Sequence, residues 1–225
     1  MFDTLTPYLM KDFGITAKTV ADISSWYFAA EISLLFIAGI VIDRISTKRL
    51  ILCFMTLCVL ATFLFSFSQS LLLAEICRFI EGLGAAFCFM CSLKLASIWL
   101  PERRLALASG LLVTMAMVGG YVSHEPLGLL IEHLGSWRSG MQYLGYLGIF
   151  FVALIAFFVR DADHSMLKNS LDLKSIDPTL ELSKIKKALR NHQNWLSGLY
   201  TCLVNLPIFI FGALFGTLYL SQVHG

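Results

Sequence analysis

Long apolar stretches alternate with short polar segments along most of this chain. Hydropathy and helix-breaking residues place six candidate membrane spans, at about residues 24–42, 50–67, 71–99, 106–130, 140–159 and 195–220. A helix of about 20 residues crosses a hydrocarbon core of about 30 Å, and each stretch is close to that length or longer. The pattern therefore predicts an all-α, polytopic transmembrane helical bundle.

The composition is typical of a protein that is surrounded by lipid rather than by water. Of the 225 residues 57% are hydrophobic and 14% are charged, and the mean hydropathy is +0.76. In soluble domains about a quarter of all residues are usually charged. At about 30 to 35 residues per span and loop, the length allows roughly six crossings and no sizeable domain outside the membrane.

The positions of Lys and Arg predict which way the spans face. Short cytoplasmic loops hold an excess of basic residues. Here the basic residues concentrate after the first, third and fifth spans, namely at Arg44, Lys48, Arg49, Arg103, Arg104, Arg160, Lys168, Lys174, Lys184, Lys186, Lys187 and Arg190. We therefore expect these three loops to be cytoplasmic and both ends of the chain to face outward.

A long polar segment, residues 161–194, separates a block at 1–160 from a last span within 195–225. Asp177 and Pro178 are suited to start a helix, and Leu182, Ile185 and Leu189 fall on one side of it. Such a helix would lie on an anionic cytoplasmic leaflet. A plain solvated linker is the alternative.

Several classes of function are disfavoured. The net charge of +2 and the absence of a basic tract with aromatics argue against nucleic acid as a partner. The pair Cys88 and Cys91 lies in an apolar segment with no second pair, so packing is favoured over metal or redox chemistry. No nucleophile with a base, and no H-E-x-x-H, occurs in the spans, so we expect no enzyme, no metal and no cofactor.

Four ionisable residues inside the predicted spans fall at one depth. Unpaired charges in lipid cost several kcal/mol, so such residues suggest a function or a partner. Counted from the span ends, they lie roughly 8 to 15 Å below the outer surface: Glu31, Arg78, Glu81 and Glu125. They could form a carboxylate and guanidinium cluster that binds a solute or carries a coupling proton. Structural ion pairs remain the alternative.

Other residues in the spans have more ordinary interpretations. Lys94 lies near the cytoplasmic end of the third span, where snorkelling to the surface explains it about as well as solute contact. Gly82 and Gly84 would allow close helix packing. Gly119 with Gly120, and then Pro126, would let the fourth span bend.

Four ordered motifs resemble those of the major facilitator superfamily of transporters. They are the loop Gly39 to Arg49 (GIVIDRISTKR), Arg78 to Gly84 (RFIEGLG), Trp99 to Arg104 (WLPERR) and Leu134 to Arg138 (LGSWR). The first departs from the family pattern at Ser46 and Thr47. Ser123-His124-Glu125-Pro126 stands where drug antiporters have Gly-Pro, which argues against drug efflux.

The resemblance implies two six-helix halves that rock around a central cavity. Residues 1–160 would be the N-terminal half, with the end of helix one and helices two to six, and 195–225 would be the incomplete first helix of the C-terminal half. The resemblance also implies a cytoplasmic conformational latch, formed by Gly39, Asp43, Arg44, Lys48, Arg103 and Arg104. The chain would then be a fragment of a longer transporter.

The sequence thus predicts a secondary active transporter of a small polar or charged solute, such as an amino acid, a peptide or an organic anion. It would work by alternating access in a lipid bilayer, the inner membrane if the source is bacterial, with protons as coupling ions in a symport. The alternative is a non-transporting membrane remnant, or a half-transporter that needs a separately encoded complementary half.

Overall fold

A computed structural model describes residues 2–42, 45–159 and 190–207. Every regular element in these ranges is an α-helix, and the chain forms two compact units, Met1–Ala162 and Asp163–Gly225. The first unit holds α1 (Phe2–Phe13), α2 (Ala17–Ile42), α3 (Thr47–Ser66), α4 (Leu71–Trp99), α5 (Glu102–Val122), α6 (Glu125–Leu134) and α7 (Trp137–Phe158). The second unit holds α8 (His192–Pro207).

Among the described residues, four segments are long and apolar enough to cross a membrane: Thr47–Ser66, Leu71–Trp99, Arg103–Leu134 and Trp137–Phe158. They coincide with the second to fifth predicted spans. The first predicted span lies within α2, whose 26 residues extend about 39 Å at the usual helical rise. The sixth begins in α8, and its remainder lies outside the described residues. Of the polar segment 161–194 with its proposed amphipathic helix, residues 161–189 also lie outside the described residues.

Local chemistry fixes several helix ends. The backbone N–H of Arg49 donates to Oγ of Ser46 at 3.3 Å, and that of Leu73 donates to Oγ of Ser70 at 3.4 Å. Each serine thus satisfies one of the unpaired N–H groups at the start of α3 or α4. After α6 the chain turns at Gly135, whose φ of 68° favours glycine.

The fourth predicted span, 106–130, is two helices rather than one. α5 ends where the N–H of Ser123 donates to the carbonyl of Gly119 at 3.0 Å, and α6 begins at Glu125. Pro126 lies in the first turn of α6, where its missing N–H costs no intrahelical hydrogen bond. The break therefore falls between Gly120 and Pro126, and Gly119 and Gly120 themselves have open space around them.

Two buried apolar clusters occupy opposite ends of the first unit. The outer cluster joins α1, α2, α3, α4, α6 and α7 through Leu5, Leu9, Val20, Ile23, Phe65, Ala74, Cys77, Leu127, Ile131, Trp137 and Met141. The inner cluster joins α2, α3 and α4 through Ala38, Ile42, Leu50, Ile51, Phe87 and Cys91. Along α4, the residues between Cys77 and Phe87 thus lie between two apolar clusters.

Two glycines in that middle section of α4 allow close approaches to neighbouring helices. A Cβ on Gly82 would lie 2.2 Å from the backbone oxygen of Tyr27 on α2. A Cβ on Gly84 would lie 2.1 Å from Sγ of Cys58 and 3.1 Å from the backbone oxygen of Phe54, both on α3. At Gly82 the nearest atom is backbone, so only a residue without a side chain fits there, whereas at Gly84 a side chain would require the thiol of Cys58 to move. α4 thus packs tightly against both α2 and α3.

Much of the exposed surface of the first unit is apolar. Ile32, Leu72 and Phe157 expose 75%, 69% and 85% of their surface, and the apolar side chains of α5 are mostly exposed as well. Large apolar faces of this kind would be unfavourable in water, whereas lipid solvates them. The distribution of apolar surface thus matches an integral multi-pass membrane protein.

Candidate functional site

Arg78 and Glu81 form a buried ion pair in the middle of α4. Nη1 of Arg78 donates to Oε2 of Glu81 at 2.5 Å, and the two residues are only 9% and 8% exposed. Three positions apart on one helix, they lie on the same face. The pair falls between the outer and inner clusters, so it is a polar layer within an otherwise apolar bundle.

Two residues from neighbouring helices complete this polar layer. The hydroxyl of Thr62 on α3 donates to Oε1 of Glu81 at 3.0 Å, so both carboxylate oxygens are hydrogen-bonded. The ring of Tyr27 on α2 lies under the guanidinium, with Cζ of Arg78 4.8 Å from the ring centroid. Such a cation–π contact stabilises a cation that has left water. We refer to Tyr27, Thr62, Arg78 and Glu81 as the polar cluster.

The polar cluster faces a cavity of about 320 Å³. Apolar side chains of α3 and α7 supply the rest of the wall, among them Met55, Val59 and Leu144, together with Cys58, Ala85 and Gly148. A few polar groups that converge in a mostly apolar cavity are typical of small-molecule sites.

Burying the charges of the polar cluster costs free energy. The cost of removing two charges from water is offset only when the charges are well paired and their remaining hydrogen-bonding groups are satisfied. Glu81 meets this condition through Arg78 and Thr62. An incoming anion could replace Glu81 as the partner of Arg78 without leaving the guanidinium unpaired, and that exchange is the chemistry this arrangement allows.

The other predicted members of the charged layer differ in position. Glu31 is half-buried on α2, one helical turn from Tyr27. Glu125 is the first residue of α6, and its side chain lies outside the described part of the structure. The structure therefore brings Arg78 and Glu81 into contact and places Glu31 one turn from the polar cluster.

Lys94 lies outside the polar cluster, near the C-terminal end of α4. Its Nζ donates to the backbone carbonyl of Ile42, the last residue of α2, at 2.6 Å. The carbonyls in the last turn of a helix lack intrahelical partners and carry partial negative charge. Lys94 thus caps α2 in this structure, and a contact between Lys94 and solute stays a prediction.

The predicted latch residues are only partly described. Lys48 donates through Nζ to the carbonyl of Ala156 in the last turn of α7, at 2.9 Å. Arg103 and Arg104 are exposed, and Gly39 has open space around it. Asp43 and Arg44 lie outside the described residues, so the contacts of the latch carboxylate stay a prediction.

The motif Leu134 to Arg138 (LGSWR) holds the opposite end of the first unit together. Arg138 pairs with Asp12 near the end of α1, and its Nη2 donates to the carbonyl of Ser68 after α3 at 3.1 Å. Nε1 of Trp137 donates to the same carboxylate at 3.1 Å. This motif therefore joins α1, α3 and α7 at the predicted outer end.

Sequence reasoning missed Tyr27 and Thr62. A threonine in an apolar span commonly bonds its own helix, and Thr62 also lies 3.0 Å from the carbonyl of Cys58. In the sequence, Tyr27 is one of several aromatic residues near the start of the first predicted span. The helical period could have shown that Tyr27 shares a face with Glu31, but only the contact at Gly82 places its ring beneath Arg78.

Comparison with known proteins gives related transporters. The chain is 24% identical over 156 residues to the "Probable sulfoacetate transporter SauU" of Cupriavidus necator, which covers 69% of this chain and 36% of that protein. It is 24% identical over 159 residues to the "Multidrug resistance protein MdtL" of a Shewanella species, covering 69% and 39%. It is 25% identical over 145 residues to the "Uncharacterized transporter YybO" of Bacillus subtilis, covering 64% and 33%. The matched region thus covers between 33% and 39% of each relative's length.

The family model of the Major Facilitator Superfamily matches residues 1–225. The match spans the four motifs, the membrane-spanning helices and the polar cluster alike. The helical bundle with its apolar outer surface is the architecture that such a membrane transporter needs. The chain belongs to the major facilitator superfamily.

Proposed function

We propose that this chain contributes to a secondary active transporter of a small organic anion, which works by alternating access. The observation that carries the proposal is the buried Arg78–Glu81 pair beside a cavity of about 320 Å³. Burying a guanidinium in a membrane bundle is costly, so such a group usually has a function or a partner. A carboxylate or a sulfonate group is its natural ligand.

The size and lining of the cavity support a small solute. About 320 Å³ falls at the lower end of small-molecule sites. An acid with a few carbon atoms would pair its charged group with Arg78 and place its remainder among Met55, Val59 and Leu144. One relative is named as a probable sulfoacetate transporter, and amino acids and peptides also carry a carboxylate. Organic anions are therefore the first class to test.

Glu81 offers a route to proton coupling. While ionised, it accepts hydrogen bonds from both Arg78 and Thr62. A proton on Glu81 would cancel its charge and weaken its hold on Arg78, which would then be available to the anion. Proton and anion would bind together and cross together, which is symport.

Uptake measurements test the transport proposal. The protein, expressed as its gene encodes it, is reconstituted in liposomes and supplied with radiolabelled sulfoacetate, small carboxylates, amino acids and peptides. We expect uptake of an anion that Arg78→Ala abolishes while the protein still inserts in the membrane. Lys18→Ala, which removes an exposed positive charge from the start of α2, is the matched control. Normal uptake by Arg78→Ala would contradict the role of the polar cluster.

We propose further that the loop with Asp43 and Arg44 is the cytoplasmic latch, together with Gly39, Lys48, Arg103 and Arg104. A carboxylate at the membrane edge can favour neighbouring guanidinium groups in only one of two rocked conformations. Asp43→Asn should therefore change the maximal transport rate. Unchanged kinetics would remove Asp43 from the mechanism.

A half-transporter that pairs with a complementary half is the second candidate. The matched region spans 36% and 39% of the length of the first two transporters above. The DNA on both sides of the reading frame provides a direct test. An adjacent frame that encodes further spans would support a second half, whereas its absence would favour a non-transporting remnant.

A further inference from the structure

Hydrogen bonds anchor the described residues on both sides of the connection between α2 and α3, residues 43–46. On its α3 side, Oγ of Ser46 accepts the N–H of Arg49, and Nζ of Lys48 donates to the end of α7. On its α2 side, the last residue is Ile42, whose carbonyl accepts from Nζ of Lys94 at 2.6 Å. α4 therefore supplies the anchor on the α2 side through one side chain.

The surroundings of Lys94 account for this contact. Cys91, one turn earlier on α4, belongs to the inner cluster together with Ile42. Ile42 is only 3% exposed, so its carbonyl ends a helix in a place with little access to water. A buried carbonyl without a donor is costly, and the half-buried ammonium of Lys94 satisfies it while adding charge of the sign that favours a helix C-terminus.

We infer that Lys94 is a positioning residue, which holds the last turn of α2 against α4 and thereby fixes where the segment with Asp43 leaves that helix. The inference rests on the latch in the proposed function, and it adds a residue that the latch motif does not contain. When α2 and α4 move as one body, the cap keeps the end of α2 in register with α4. Without the cap, the last turn of α2 would open.

Trypsin cleavage tests this role without any reporter group. Arg44 is a natural cleavage site in the loop, and cleavage needs local unfolding of the flanking turn. Exposed Arg103 and Arg104, between α4 and α5, provide an internal reference in the same sample. In detergent-purified protein, Lys94→Met should raise the rate of cleavage after Arg44, relative to Arg104, by about fivefold or more, as expected for a lost charged hydrogen bond.

Two variants control for side effects. Lys94→Arg retains a donor and a charge, so its cleavage ratio should stay within about twofold of the parent. Lys11→Met removes an exposed lysine from α1, far along the chain, and should leave the ratio unchanged. An unchanged ratio in Lys94→Met, or an equal rise in Lys94→Arg, would overturn the assignment.

Transport kinetics separate positioning from simple stability. Lys94→Met should lower the maximal rate several-fold with KM nearly unchanged, because the polar cluster is intact. A variant with a raised cleavage ratio and an unchanged maximal rate would also overturn the role. The cleavage ratio can be read even if the protein moves none of the solutes tested, so failure of the proposed transport is a separate result.

Discussion

The hydroxyl of Thr62 on α3 lies 3.0 Å from Oε1 of Glu81 on α4, while Arg78 holds Oε2 of the same carboxylate. Thr62 from α3 and Arg78 from the preceding turn of α4 thus each hold one oxygen of a single charged group. The carboxylate is therefore sensitive to changes on either helix, which makes its partners the most informative positions to substitute.

A double-mutant cycle on Arg78 and Glu81 should show strong coupling. Glu81→Ala removes the carboxylate partner of a buried guanidinium, and we expect a loss of about 3 to 5 kcal/mol in unfolding free energy. Arg78→Ala with Glu81→Ala removes both charges and should recover much of that loss. Thermal unfolding in detergent measures each variant. Additive losses would mean that the pair is not coupled in solution.

Thr62→Val removes one hydrogen bond to the carboxylate and keeps the shape of the side chain. Hydrogen bonds to charged groups contribute about 1.5 to 3 kcal/mol, so the unfolding midpoint should fall measurably. Thr62→Ser, which keeps the hydroxyl, is the matched control and should stay close to the parent. Equal midpoints for Thr62→Val and the parent would argue against the contact at 3.0 Å.

Gly82→Ala should disrupt the contact between α2 and α4. The added methyl would lie 2.2 Å from the backbone oxygen of Tyr27, so one backbone must move, at a cost of about 1 to 3 kcal/mol. Gly110→Ala on α5 is the control, since nothing lies within 4 Å of a Cβ there, and alanine favours the helix by up to about 1 kcal/mol. The two unfolding midpoints should thus move in opposite directions, and a shift in the same direction would contradict the packing.

Asp12→Asn should have a much smaller effect than any change at Glu81. Asp12 and Arg138 are 38% and 34% exposed in their side chains, and solvent-exposed ion pairs contribute about 1 kcal/mol or less. Arg138 would keep its hydrogen bond to the carbonyl of Ser68. Unfolding in detergent at low and high salt measures the effect, which salt should reduce further. A loss as large as that of Glu81→Ala would mean that this pair is shielded from solvent.

Sequence alone determined the apolar segments, their approximate ends and the motifs of the superfamily. These features depend on lipid as the solvent: a spanning segment must satisfy its backbone internally, so length and hydropathy suffice to predict helices. Glycine and serine near the helix ends, such as Ser46, Ser70 and Gly135, cap or end the helix beside them. Their effect depends on neighbouring residues only, so the sequence is enough to predict it.

Tertiary structure decided which side chains meet. Depth along a helix placed Glu31, Arg78 and Glu81 at one level, but rotation about each helix axis and the contact between helices determine which of them touch. The close approach at Gly82 set Tyr27 beneath Arg78, and α3 brought Thr62 to Glu81. Lys94 likewise became a cap for α2, because a carbonyl at the end of another helix has no signature in the sequence near the lysine that it meets.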